Sequence, residues 1–428
     1  MKYAFCGGKL LTAQGDAATG GPVRDWCCGP TATALRDIVP EGTDLTGYEV
    51  VNLKGGYLMP GLINMHVHLA GSGKPQKKQR DNEKLVKTIL STGLTRKVAY
   101  GMVAGFAKEE LFSGVTTIRT VGGLADFDTR LRDDIRAGRR VGPRILAANE
   151  GISVPGGHMA GSVAVAAHTI DEALEQLEKG RQQGVDLVKL MITGGVLDAK
   201  EKGVPGELKM PPEMVKVVCE RAHEMGYTVA AHVESPEGVR VALENGVDSI
   251  EHGAQPDADI LRLFRERGAF LCTTISPALP YALFDRSVSN ASEVERYNGN
   301  VVFEGIIECA KAALEQDIPV VLGNDVGCPW ITQYDFWREL YYFHKYVGCP
   351  TPSLCTPPPP QRPAGGYRSG DRRAGAGKGG GPHRYGGGST GRPTGAAPCR
   401  AGHVHGQLHR APQVKHRKNV EAELDRFL

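Results

Sequence analysis

From about residue 57 to residue 346 the chain alternates between short, β-branched apolar runs and longer segments whose apolar residues recur every three or four positions. These are the periods of buried strands and of amphipathic helices. The runs predict strands over Leu58–Leu69, Val115–Val121, Arg144–Asn149, Leu187–Ile192, Thr228–Val233, Ser249–His252, Phe270–Ile275 and Val320–Asn324. Helical patterns lie between them, among them Thr169–Gln183, Pro211–Met225, Glu237–Asn245 and Val301–Gln316. Pro211-Pro212 opens one helix, and Gly184, Gly226, Gly246 and Gly268 follow helix ends. Strands each followed by a helix predict an α/β chain folded as a parallel (β/α)8 TIM barrel. A doubly wound open sheet shares the alternation. It would not gather candidate polar groups from the C-terminal ends of so many strands around one mouth.

Two stretches depart from this pattern. Residues 13 to 38 break any strand alternation, leaving only Lys2–Leu11 and Tyr48–Leu53 as strands of the N-terminal region. Pro350 to Pro412 has no Ile, Phe, Met or Trp, and only Leu354, Val404 and Leu408 as large aliphatics. Such a composition cannot bury enough apolar surface to offset the entropy of ordering the chain. Gly, Pro, Arg, Ala and Cys together are what GC-rich DNA encodes out of frame, and ordinary sequence resumes at Val414. Both stretches are therefore expected to be frame-shifted segments between in-frame flanks. A basic disordered tail that touches RNA is the other reading of the second. The expected organisation is an N-terminal region over 1–56 with 13–38 aberrant, a barrel over 57–349, low complexity over 350–412 and a C-terminal helix over 413–428.

A chain of 428 residues can hold one large domain and a smaller one. The net charge of +3 is small and the charges of residues 60 to 345 are interspersed, which argues against a nucleic-acid partner. No apolar run approaches the ~20 residues that span a bilayer. The first residues lack the pattern of a signal peptide. The ten cysteines are scattered with no C-x-x-C pair, and Cys219, Cys272 and Cys309 sit in apolar patterns where free thiols are ordinary. The expectation is a soluble, cytoplasmic protein with a small-molecule partner, no nucleic acid and no membrane; homo-oligomers stay open.

The chemistry gathers where strands end. His66 and His68 close the first apolar run and, at i and i+2 on a strand, point to one face. Neutral imidazoles so placed suit zinc and its first-row neighbours. Lys189 is isolated in the apolar run Leu187–Ile192, which is costly unless the amine is neutral or paired. It either snorkels to the strand end or, as a desolvated amine, captures carbon dioxide to become a carbamate that bridges two metal ions. His232 and His252 close two further runs, and Asp325 follows the last. Each histidine alone is more often a hydrogen-bonded core residue, but together with His66 and His68 they form a metal-ligand series. A carboxylate at the last position can ligate a metal and carry the proton of an attacking water.

The order H-x-H on strand one, Lys on four, His on five and six and Asp on eight resembles the amidohydrolase superfamily. Leu58–His68, Lys189–Val196 and Ser249–Gly253 resemble its imidazolonepropionase-related branch, which includes zinc-dependent Xaa-Pro and Xaa-Arg dipeptidases and carboxypeptidases. The resemblance implies two divalent ions, zinc in the first place. His66, His68 and Asp325 would hold one, His232 and His252 the other, and carboxylated Lys189 would bridge them. It implies hydrolysis of an amide bond in a dipeptide or N-acyl amino acid by metal-bound hydroxide, with Asp325 as catalytic base and then acid. Cyclic-amide, lactone or phosphotriester hydrolysis is an alternative, as is a catalytically dead metal-binding barrel. His158 matches a substrate-facing loop after strand three. Arg119 and Tyr227 are candidates for a substrate carboxylate, Arg119 equally for a structural ion pair. Departures from the family pattern are Glu234, where relatives often carry a second histidine, Thr120, and Asn324-Asp325-Val326-Gly327. His403 and His405 form a second H-x-H with no strand around it and are not expected to be ligands. The resemblance also implies a small β-sandwich built from both chain ends, incomplete here because both contributing stretches are aberrant.

Overall fold

Each apolar run of the long alternating region becomes one barrel strand: β1 (Leu62–Val67), β2 (Val115–Thr120), β3 (Arg144–Leu146), β4 (Val188–Met191), β5 (Val229–Val233), β6 (Ser249–His252), β7 (Phe270–Thr273) and β8 (Val320–Leu322). The computed structural model describes residues 2–11, 17–18, 23–27, 35–39, 42–75 and 81–348. It divides into two units, one up to Gly61 and one from Leu62.

In the second unit the strands pair in parallel, β1 with β2, β2 with β3, and β4 through β8 in order. The ring closes on both sides. The Asp325 N–H donates to His66 O at 3.1 Å and the His68 N–H to Val326 O at 2.9 Å, joining β8 to β1. The Asp186 N–H donates to Ala147 O at 2.7 Å, and the short strand Gly151–Ser153 pairs with β4 through Ile152 and Leu190. The fold is a (β/α)8 barrel. Its main core lies between strands and helices, with Ile118, Leu131, Leu190, Val218, Ile250, Phe264 and Leu271 fully shielded. Inside the barrel two further layers meet, one of Ile63, Met65, Phe270, Cys272 and Val321, the other of Val121, Leu146, Ala148, Leu187 and Ala230.

The helices start and stop where their caps dictate. The Thr169 side chain accepts from the Glu172 N–H to open Ile170–Gln183, and Gly184 closes it in the left-handed region at φ +73°. Gly226, Gly246 and Gly268 also have positive φ, as the sequence predicts. The helix expected from Val301 begins earlier, at Glu293, because Ser292 and Glu295 form a reciprocal capping box.

The first unit has one sheet ordered Leu35–Ile38, Val23–Cys27, Lys2–Cys6 and Glu49–Asn52. A smaller sheet joins Ala17–Ala18, Lys9–Leu11 and Tyr57–Leu58. Tyr3 and Phe5 are buried against Val51, Leu53 and Leu58. Two expectations change here. Residues 13–38 do supply strands, since ladder hydrogen bonds are made by backbone and need no regular alternation: Trp26 pairs with both Tyr3 and Leu35. Tyr57 and Leu58 pair with Lys9 and Leu10, so the barrel strand begins after Pro60-Gly61 rather than at Leu58. The C-terminal sandwich half, the low-complexity stretch, His403, His405 and the 413–428 helix lie outside the described residues. Among the described residues no helix is long and apolar enough to cross a membrane, and Cys6, Cys219, Cys272, Cys309 and Cys328 are free.

Candidate metal centre

A bulge aims the histidine pair. Along β1, Asn64 pairs with Ile118 but Val67 pairs with Thr120, so three steps on one strand face two on the other. The extra residue reverses the strand's parity. Met65 faces the barrel interior, and after the bulge His66 and His68 do so too, while Asn64 donates outward to Asn324 Oδ1 at 2.7 Å. Gly323 makes room for this. A Cβ there would collide with the backbone and Cβ of His66.

His252 reaches the same place by another route. Glu251 and His252 are consecutive on β6 and should point to opposite faces. His252 has φ +70°, so the chain leaves the strand and both side chains converge on His66. Asp325, at φ +53°, is likewise held in the left-handed region that non-glycine residues seldom occupy.

The result is a buried ring of donors at the C-terminal mouth. The His66 ring lies 5.3 Å from that of His68 and 4.8 Å from that of His252, which is 4.6 Å from His232. Asp325 Oδ1 faces His66 Nε2 at 3.5 Å and His68 Nε2 at 3.3 Å and takes a well-formed hydrogen bond from neither. Lys189, 2 % exposed, has no hydrogen-bond partner for its Nζ. Its charge acts on His66, His232 and His252, and it feels Glu251 and Asp325. Lys189 and the histidines therefore share one electrostatic site.

Each imidazole has one nitrogen engaged, leaving the other for a ligand. His66 Nδ1 is 2.7 Å from Glu251 Oε2, His68 Nδ1 is 2.9 Å from Gly122 O, and His252 Nδ1 is 2.6 Å from Thr274 Oγ1. His232 is the reverse: its Nε2 is 3.1 Å from Gly194 O, which leaves Nδ1. Burial lowers His66 and His232 far below the ordinary histidine range and His252 to about 3, so all three are neutral near pH 7. Burial also lowers the Lys189 ammonium to about 8. For Asp325 burial acts upward, but the surrounding His66 and His68 hold the carboxyl well below the usual range.

These donors fit divalent ions. Nitrogen and carboxylate groups of His66, His68 and Asp325 lie within 4.8 Å of one another, as do those of His232, Glu234 and His252. The unpartnered Lys189 Nζ and Asp325 Oδ1 are the kind of buried polar atoms that a bound ion would satisfy.

The three substrate candidates fare differently. His158 stacks on His232 at 3.9 Å with its Nδ1 2.5 Å from Asp198 Oδ2, so it stands at the mouth. Arg119 does not. It is 3 % exposed, donating to Met65 O, Ser249 Oγ and both oxygens of Glu251, and that interior ion pair replaces the substrate role considered for it. Tyr227 precedes β5, and His232 lies near the strand's other end; roughly 16 Å of extended backbone separates them. Tyr227 packs against the outer core instead, which corrects its assignment to the substrate. Sequence reasoning missed Glu251, Thr274 and Asp198. Of these only Glu251, a charge in the otherwise apolar Ser249–His252 strand, carried a readable signal.

The amidohydrolase family model matches residues 57–345. The chain belongs to the amidohydrolase family. A candidate prolidase from Bifidobacterium longum is 30% identical with a TM-score of 0.68, over 83% of this chain and 82% of that one. A Xaa-Pro dipeptidase with methionine bound in its active site is 25% identical with the same TM-score of 0.68, over 83% of this chain and 86% of that one. The Aspergillus niger ochratoxinase is 25% identical over 51% of this chain and 48% of its own length, so the chain spans about half the length of the curated relatives it matches. Amidohydrolases generally use divalent metals, as the donor ring here accommodates.

Proposed function

We propose that this amidohydrolase is a binuclear, zinc-dependent hydrolase of an amide bond in a dipeptide or N-acyl amino acid. The observation that carries the reading is the convergence of His66, His68, His232, His252, Lys189 and Asp325 at one buried mouth, with Lys189 Nζ and Asp325 Oδ1 lacking partners. The prolidase and dipeptidase relatives support the substrate class.

His66, His68 and Asp325 would hold one ion, His232 and His252 the other. Lys189 would bridge them after its neutral amine adds carbon dioxide and releases a proton. Bound there, the ions would polarise the amide carbonyl and make hydroxide available near neutral pH. Asp325 would accept a proton at its free oxygen and return it to the leaving nitrogen. Glu251, Gly122 and Thr274 would keep the rings of His66, His68 and His252 oriented. His158, fixed by Asp198, would bind substrate beside His232.

The test is zinc content together with hydrolysis of a panel of Xaa-Pro, Xaa-Arg and N-acyl amino acid substrates. About two zinc ions per chain, with turnover abolished by Asp325→Asn, is the expected result. Zinc bound without turnover on any member would instead make this a dead metal-binding barrel.

A further inference from the structure

Glu234 is a carboxylate that the six-residue ligand set does not use. It follows His232 by two residues at the end of β5, and its carboxylate shares with His232 and His252 a group whose ligand atoms all lie within 4.8 Å of one another. At i and i+2 the two side chains face the same way.

Its position is built rather than incidental. The Val196 N–H donates to Glu234 Oε2 at 3.1 Å, and the Glu234 N–H donates to Thr193 Oγ1 at 3.1 Å. Gly206 packs so closely that a Cβ there would strike the Glu234 backbone, and a Cβ on Gly195 would come within 3.2 Å of Oε2. A carboxylate with one oxygen anchored by a backbone amide presents its other oxygen in a fixed direction, the arrangement in which ligating carboxylates are commonly held. Glu234 is half-buried, and the charged groups that act on it are Asp325 and Asp198, both acidic.

We propose that Glu234 is a third protein ligand of the ion held by His232 and His252, in addition to bridging Lys189. The inference rests on the two-ion reading above. Ligation by a carboxylate oxygen in place of a second β5 histidine adds one negative charge at that ion. It makes the second site tighter and the ion less electrophilic than with an imidazole.

The experiment is zinc titration of the full chain against a competing chromophoric chelator, for wild type and Glu234→Gln. Two sites in the wild type uphold the two-ion reading; none would remove it and this inference with it. With two sites present, Glu234→Gln is expected to weaken one affinity by about 10- to 100-fold and to leave the other unchanged. Unchanged affinities at both sites overturn the proposal, and a KM change alone would assign Glu234 to substrate. Should Glu234→Gln fail to fold, cobalt(II) loaded into Glu234→His reports on the same point. Exchange of oxygen for nitrogen at the ion shifts the visible absorption of the second equivalent, and a spectrum identical to wild type overturns the assignment.

Discussion

Glu251 Oε2 lies 2.7 Å from His66 Nδ1, and the same carboxylate takes the Arg119 guanidinium at 2.7 Å. All three side chains are almost completely shielded from solvent. One buried carboxylate thus balances a buried cation and fixes which nitrogen of His66 faces the mouth. Ser249 Oγ also donates to Glu251, so the group is held from three sides.

Glu251→Gln should therefore damage both stability and metal binding. Leaving Arg119 without its counter-charge costs on the order of 3 kcal/mol. Losing control of the His66 ring weakens zinc by about 10-fold or more. The double variant Arg119→Met/Glu251→Gln should recover much of the stability and none of the zinc affinity. Urea unfolding and zinc titration of both variants measure the two effects separately.

Glu110 tests burial away from the mouth. It is fully shielded, its Oε2 accepts from Asn64 Nδ2 at 3.5 Å, and its Oε1 has no hydrogen-bond partner. Burial raises its carboxyl from 4.5 to about 8. The native state then holds a proton that the unfolded chain has lost, so this group's contribution to stability falls as pH rises from 4.5 towards 8. Glu110→Gln should be more stable than wild type at pH 8 by roughly 4 kcal/mol, with the difference vanishing near pH 4. Equal stability gaps at pH 5 and pH 8 would contradict this.

The barrel was legible because each strand is a short apolar run, and each candidate ligand lies in one or just after it. His66, His68, Lys189, His232, His252 and Asp325 could be picked out as candidates by that placement together with the order they share with the amidohydrolase pattern. What could not be read is what reverses a side chain's direction: the bulge between Asn64 and Val67, and the left-handed turn at His252. Arg119 was ambiguous because its partner Glu251 is distant in sequence, and nothing local distinguishes an inward ion pair from a substrate contact. Tyr227 should have been placed correctly, since it opens the run that His232 closes. Residues 13–38 hid their strands because a ladder requires hydrogen-bonding backbone, and alternation is only its usual companion.

Gly323→Ala tests the close approach of β8 to β1. The added methyl would meet His66 N, Cα and Cβ, backbone that cannot swing away as a flexible side chain can. Overpacking of this kind costs about 1–3 kcal/mol. The expected signature is a folded barrel with unchanged far-UV circular dichroism and marked loss of zinc at the His66, His68 and Asp325 site. Zinc affinity equal to wild type would show that the strands separate without moving the histidine.

Lys189→Met separates the amine's cost to the metal-free protein from its use in the loaded one. Burial lowers its ammonium from 10.5 to about 8, so at pH 7 the fold carries a shielded charge that the unfolded chain would keep in water. Here the unfolded state binds the proton more tightly, and native stability rises as pH climbs from about 8 towards 10.5. Methionine, similar in length and apolar, should stabilise the metal-free protein at pH 7 by roughly 3 kcal/mol, with the gain fading above pH 8. Zinc reverses the order. An ion that binds only the folded chain adds about 4.1 kcal/mol at a thousand times its Kd. Without the bridging group Lys189→Met should forgo much of that increment and lose any dependence on added bicarbonate. Thermal unfolding of both proteins, with chelator and with excess zinc, gives the comparison: the variant melts higher without metal and lower with it. If zinc raises both melting temperatures equally, Lys189 does not bridge.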